Sequence, residues 1–129
     1  MDRELYDKGL QNRKEVLSEA HVERSFASAD DFTKPYQDLV TEYCWGAIWH
    51  RPGLSRKTRS LLNIAMLTAL NREDEFKLHV RAAFRNGVSK DEICEVLLQT
   101  MIYCGVPAAN SAFKQAREVF AAMEQEEAD

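Results

Sequence analysis

Apolar positions recur at helical spacing along almost the whole chain, and the alternation of a half-buried strand is nearly absent. Leu5, Tyr6, Leu10, Val16 and Leu17 mark a first amphipathic helix over about Arg3 to Ser18. A polar connection rich in Ser, Ala and Asp follows, carrying Phe26 and Phe32. A second helix is predicted from Pro35, which is acceptable in a first turn, to Gly46. The segment "WGAIWHRPGLS" breaks it, because Pro52 disfavours helix at Arg51 and Gly53 comes next. Ser55 is a suitable N-cap for a third helix, whose "LLNIAMLTAL" is apolar on nearly every face and is expected at the centre of the fold.

After a short link at Leu70 and Asn71, "NREDEFKLHVRAAFRNG" reads as another helix, ended by Gly87 at its C′ position. Ser89 and Glu92 then form a capping box, and Val88 is placed to staple against Ile93. That helix runs to Tyr103 and Cys104, Gly105 ends it, and Pro107 opens a last helix whose acidic tail "EQEEAD" is expected to fray. About six helices result, in a single all-α domain over residues 1–129.

The helix from Asn71 to Gly87 carries an unusual polar edge. At about 100° per residue, Phe76, Val80, Ala83 and Phe84 form the apolar stripe, Arg72 and His79 project beside Ala83, and Glu75 lies just beyond His79. Glu75 and His79 are one turn apart, within reach of each other. A histidine at a core margin can be a hydrogen-bonded structural residue, and an Arg and a Glu beside it can be a solvated rim. The rest of the chain decides between that reading and a chemical one.

A chain of 129 residues with 45% hydrophobic content makes one domain with a real core, small enough for an oligomer to help it. Its 17 Lys and Arg are scattered among 21 acids, for a net charge of −4 and no basic stripe, which argues against nucleic acid as a partner. No run approaches the roughly 20 apolar residues of a membrane span, and the first residues lack the apolar segment of a secretory signal. Cys44, Cys94 and Cys104 are an odd number with no Cys-x-x-Cys pair, which points to reduced thiols in a cytoplasm. Cys94 and Cys104, about 15 Å apart along one helix, cannot bridge within it. His21, His50 and His79 are too dispersed to suggest a metal site, and no phosphate loop or nucleophile elbow is present.

"WGAIWHRPGL", "TRSLLNIAML", "KLHVRAAFRNGVSKDEI" and "IYCGVPAAN", in that order and at these separations, resemble the γ-carboxymuconolactone decarboxylase family over nearly the whole chain. The resemblance implies the all-helical fold of the alkyl hydroperoxidase D-like superfamily, assembled into a homohexamer. Redox members of that superfamily carry a Cys-x-x-Cys-x-x-x-His pattern with a Glu twelve residues upstream. Laid on this chain with His79 as the His, the pattern puts Arg72 and Glu75 at the cysteines and Ser60 at the upstream Glu. Neither Arg nor Glu can form a disulfide, so thiol-dependent peroxide reduction becomes the alternative rather than the leading reading.

The activity implied is decarboxylation of an unsaturated lactone that bears a carboxylate and an acetate arm on its γ carbon, in protocatechuate catabolism. When CO₂ leaves, its electron pair can move through the ring double bond into the lactone carbonyl, so the substrate carries its own electron sink and no cofactor or metal is expected. The protein must then supply a proton, an oxyanion donor and a cation. His79 is the candidate proton donor and Glu75 the group that orients it. Tyr103 is an alternative donor that can equally be a packing residue. Arg72 and Arg51 are candidates for the acetate arm, because a guanidinium binds both carboxylate oxygens. Trp45, four residues before Trp49, is a candidate for substrate contact as well as for core or interface. A non-catalytic helical oligomer module is the third reading.

Overall fold

The computed structural model describes residues 1–128, and among them every regular element is helical. The elements are α1 (Arg3–Leu17), α2 (Glu19–Ala27), α3 (Lys34–Leu39), which runs on as a π-helical segment (Val40–Ile48), α4 (Arg56–Leu70), α5 (Glu73–Arg85), α6 (Lys90–Tyr103) and α7 (Val106–Ala128). They fall into two compact units, Met1–Arg56 and the chain from Lys57 onward.

In the first unit, the polar connection after α1 proves to be helix α2. Ser18 joins the two, with φ 89°, its N–H bonded to Lys14 and its side chain accepting from the His21 N–H at 3.1 Å. A serine at positive φ costs about 1–3 kcal/mol, and here it both ends one helix and caps the next. The short α2 buries only Val22, so its periodicity was too weak to read.

The second predicted helix does not stop at Gly46. It widens into the π-helical segment and continues to Ile48, with the Trp49 N–H bonded to Cys44 O at 3.0 Å. Gly46 is a contact glycine rather than a terminator: a Cβ there would stand 2.3 Å from Leu5 O on α1. Gly9 on α1 makes the reciprocal approach, where a Cβ would stand 1.9 Å from Thr41 O. Two glycines thus let α1 and the π-helical segment touch backbone to backbone. The widened turn stacks Trp45 on Trp49, with centroids 4.7 Å apart and planes inclined by 22°.

In the second unit, α4 to α7 enclose Ile64, Phe76, Val80, Ala83, Val88, Ile93, Leu97, Ala112, Ala116 and Val119. The caps that aim these helices follow the sequence signals. Gly87, at φ 85°, is the C′ residue of a Schellman motif in which the N–H groups of Gly87 and Val88 bond to Phe84 O and Ala83 O. Ser89 and Glu92 form the full capping box, and Val88 and Ile93 both join the core. α4 starts at Arg56, directly after the expected cap Ser55. Its burial is one-sided, however: Ser60, Ile64 and Thr68 are buried, whereas Leu62, Met66 and Leu70, half a turn away, are 46%, 52% and 63% exposed. The acidic tail remains helical to Ala128, because Phe120 packs edge-on to Phe84 and Met123 still reaches the core cluster.

Gly9→Ala should cost about 1–3 kcal/mol or more, since backbone must move to admit the methyl group. Gly53→Ala, where a Cβ meets nothing within 4 Å, should be neutral, and urea midpoints of the two variants provide the check.

Candidate active site

Helix α5 turns its apolar stripe inward as expected, with Phe76, Val80 and Ala83 buried and Phe84 packed beside them. Ala82 is also buried, at 2% exposure. By helical angle, His79 lies between Ala83 and Ala82, so the polar edge is bordered by buried positions on both sides. His79 is itself half-buried. Its Nδ1 lies 3.5 Å from the side-chain Nδ2 of Asn63 on α4, a long, weak contact. Glu75 stands exposed in the first turn of α5, with Glu73 and Asp74, where a negative charge is favourable.

Arg72 differs from its predicted setting. Asn71 takes the left-handed conformation at φ 56° and ends α4 in a second Schellman motif, with Asn71 N–H bonded to Thr68 O and Arg72 N–H to Leu67 O. Arg72 is therefore the residue before α5, at φ −100° and ψ 87°, and a helical angle does not apply to it. It is exposed, at the edge of a cleft of about 200 Å³ lined also by Thr68, Asn71, Ser111 and Gln115. Tyr103 closes α6 and is 80% exposed, so it is no core residue of this unit.

Trp45 and Arg51 belong to the first unit. Trp45 is 4% exposed, and its carbonyl accepts from Asn12 Nδ2 at 3.0 Å. The same amide lies 3.3 Å from His50 Nδ1, while Asn12 Oδ1 accepts from Arg56 Nη2 at 2.6 Å. Buried Asn12 thus holds the end of the π-helical segment, and exposed Arg51 follows it, with its N–H bonded to Ile48 O at 3.1 Å. Neither Asn12 nor Asn63 was marked by the sequence pattern, since each acts on a segment remote along the chain.

The thiols and Ser60 fall outside any redox arrangement. Cys94 and Cys104 are exposed, and burial pushes the Cys44 thiol up, away from the reactive thiolate. Ser60 is fully buried and accepts from Asn86 Nδ2 at 2.8 Å, which ties α4 to the end of α5. Among the described residues, no group of three or more His, Cys, Asp and Glu is placed to hold a metal ion.

Residues 34–118 match the model of the carboxymuconolactone decarboxylase family. The chain belongs to that family. It is 50% identical to a 4-carboxymuconolactone decarboxylase of Acinetobacter baylyi, over 92% of this chain and 89% of that protein. It is 43% identical to a nitrosuccinic acid decarboxylase of Metarhizium robertsii, over 87% of this chain and 78% of the relative. Two proteins named as decarboxylases of different substrates therefore align over most of this chain, and the family's all-α fold accords with the helical structure. No helix among the described residues is long and apolar enough to cross a membrane.

If the Asn63 amide holds the His79 ring, Asn63→Ala should change the proportion of its two neutral tautomers. The ring ¹⁵N shifts of the neutral imidazole report that proportion directly.

Proposed function

We propose that this protein is a cofactor-independent carboxy-lyase that converts 4-carboxymuconolactone to β-ketoadipate enol-lactone and CO₂ in protocatechuate catabolism, in the cytoplasm. The observation that carries this reading is the 50% identity to a decarboxylase of that name over nearly the whole of both chains.

The second relative sharpens the chemical demand. Nitrosuccinic acid has a carboxylate, an acetate arm and a nitro group on one carbon. 4-Carboxymuconolactone has a carboxylate and an acetate arm on a saturated ring carbon next to a double bond that is conjugated with the lactone carbonyl. In each, loss of CO₂ leaves an electron pair that an acceptor already in the substrate takes up, as a nitronate or as a furanolate. A protein serving such substrates needs to hold a dianion, keep water from deciding where the proton goes, and deliver a proton to carbon. Decarboxylation of nitrosuccinic acid is accordingly the second reading, favoured by the 43% identity.

In the lactone reaction the bond between the γ carbon and the carboxylate breaks heterolytically. The pair moves into the ring and the carbonyl oxygen becomes an oxyanion. His79 protonates the ring carbon next to the carbonyl, which restores the carbonyl and gives the enol-lactone. Glu75, one turn earlier, is the candidate group to orient the imidazole. Arg72 and Arg51 are the candidate cations for the acetate arm, Trp45 a wall, and Tyr103 a donor to the oxyanion. Clamping the departing carboxylate would stabilise the ground state and slow its loss, so the main cation belongs on the acetate arm.

The exposed stripe of Leu62, Met66 and Leu70 on α4, together with exposed Leu98, Ile102 and Val106, supports a homo-oligomer, a hexamer by the resemblance. Met66→Glu should therefore lower the mass seen in sedimentation, because a charge in an apolar interface is unfavourable.

The activity is tested by ultraviolet loss of the lactone, set against nitrosuccinic acid and against peroxide reduction with a thiol reductant. Lactone turnover without peroxide turnover is expected, and chelators should leave it unchanged. In D₂O the product should carry one deuterium, on one face of the carbon beside the carbonyl. His79→Ala should lower kcat about 10²-fold or more and lose that facial selectivity in prompt proton NMR. If rate and selectivity both survive, His79 is structural.

A further inference from the structure

The cleft of about 200 Å³ beside Arg72 lies wholly in the second unit. Its wall carries Asn71 and Arg72 from the link between α4 and α5, and Ser111 and Gln115 from α7. None of these side chains makes a hydrogen bond or ion pair among the described residues. Polar groups that converge on one cavity and bond to nothing in their own chain can meet a ligand without first giving up a protein partner. Ser111 and Gln115 are one turn apart and share a face of α7. Ala108 and Ala112 stand in the same wall, where their methyl groups leave the space open. Thr68, also in the wall, spends its hydroxyl on Ile64 O at 2.8 Å.

Arg72 is fixed at its root. Its N–H bonds to Leu67 O at 3.1 Å, and its carbonyl accepts from the Phe76 N–H at 2.8 Å, so the guanidinium is carried on settled backbone. Glu73 lines the cleft as well, with Oε1 3.2 Å from Lys77 Nζ, and the same ammonium stands 2.8 Å from Glu118 Oε2. One guanidinium thus faces one acid that already shares a lysine, a balance that suits a single carboxylate and not two. A pocket that encloses a whole drug-sized ligand measures roughly 300–1,000 Å³. This cleft is smaller, and fits one arm of a molecule.

We propose that the cleft is a seat for one alkyl carboxylate, with Arg72 binding both oxygens and Ser111 and Gln115 donating to them. The identity of the occupant rests on the decarboxylase reading: it is the acetate arm, held by Arg72 rather than by Arg51. The second carboxylate, on the reacting carbon, then stays outside the seat, as a group that must leave as CO₂ requires.

The test joins binding to kinetics on the purified full chain. Acetate is titrated against acetamide and chloride at equal ionic strength, with NMR of the Gln115 side-chain amide as the readout. Acetate alone should give a saturable shift, weakened about tenfold or more in Arg72→Gln. Ala108→Leu fills the cleft with a good helix former and keeps every polar group, and should abolish the shift while circular dichroism shows it folded. With the lactone, Arg72→Gln and Ala108→Leu should raise KM about tenfold and Gln115→Leu about threefold, with kcat within about twofold, the pattern of lost uniform binding. Arg117→Gln, which removes the same charge from α7 outside this cleft, should change neither constant. The proposal is overturned if acetamide or chloride shifts the Gln115 signal as acetate does, or if KM is unmoved in folded Arg72→Gln and Ala108→Leu. Where the wild type does not turn over the lactone, it is the activity reading that fails, and the acetate titration alone decides the seat.

Discussion

Burial of Phe76, Val80 and Ala83 sets the rotation of α5, and each polar group on that helix takes its position from it. A helix with three large or close-packed contacts on one face cannot turn by one residue without exposing a phenylalanine and burying a charge. His79 is therefore held at the same angle whatever its chemistry, between buried Ala83 and buried Ala82, while Lys77 is left to pair with Glu73 and Glu118 at the surface. The caps at either end extend this constraint along the chain. Asn71 in the left-handed conformation aims Arg72 before α5 begins, and Gly87 turns the chain straight into the Ser89 capping box.

Features set by neighbours in sequence were legible from the sequence. The capping box, the Gly87 terminus, the apolar stripe of α5 and the polar edge beside it all follow from spacings of three and four. What was missed depends on contacts remote along the chain. Gly46 looked like a helix end because its lack of a side chain is a local fact, whereas its reason, the approach of Leu5 O, lies forty-one residues away. The α2 helix buries only Val22 and is defined by the strained Ser18 that separates it from α1, so hydrophobic period did not reveal it. The central position expected of α4 rested on its overall apolarity, yet its buried face carries Ser60 and Thr68 beside Ile64. Apolar composition reports how much surface a helix hides, and does not say whether its own chain hides it.

The candidate site follows the same division. His79 and Glu75 could be placed by counting along one helix, but Arg72 could not, because the helix starts after it. Asn63 reaches His79 from α4, sixteen residues away, and no local pattern marks it. An amide there differs in kind from the carboxylate that would pair with a histidine to hold it charged: it has no charge of its own and can either donate to or accept from the ring.

A site of this kind asks little of the protein when the substrate provides the electron sink. The costly step in decarboxylation is accommodating the electron pair left behind, and a lactone carbonyl or a nitro group does so within the substrate. The remaining demands are positional: a proton donor on one face and a cation on the arm that stays. Positional demands are met by helix rotation and by caps, which in this chain are its best-determined features. That is a physical route by which one helical scaffold can serve decarboxylations as unlike as those named for two of its relatives, with the reacting carbon changed and the geometry retained.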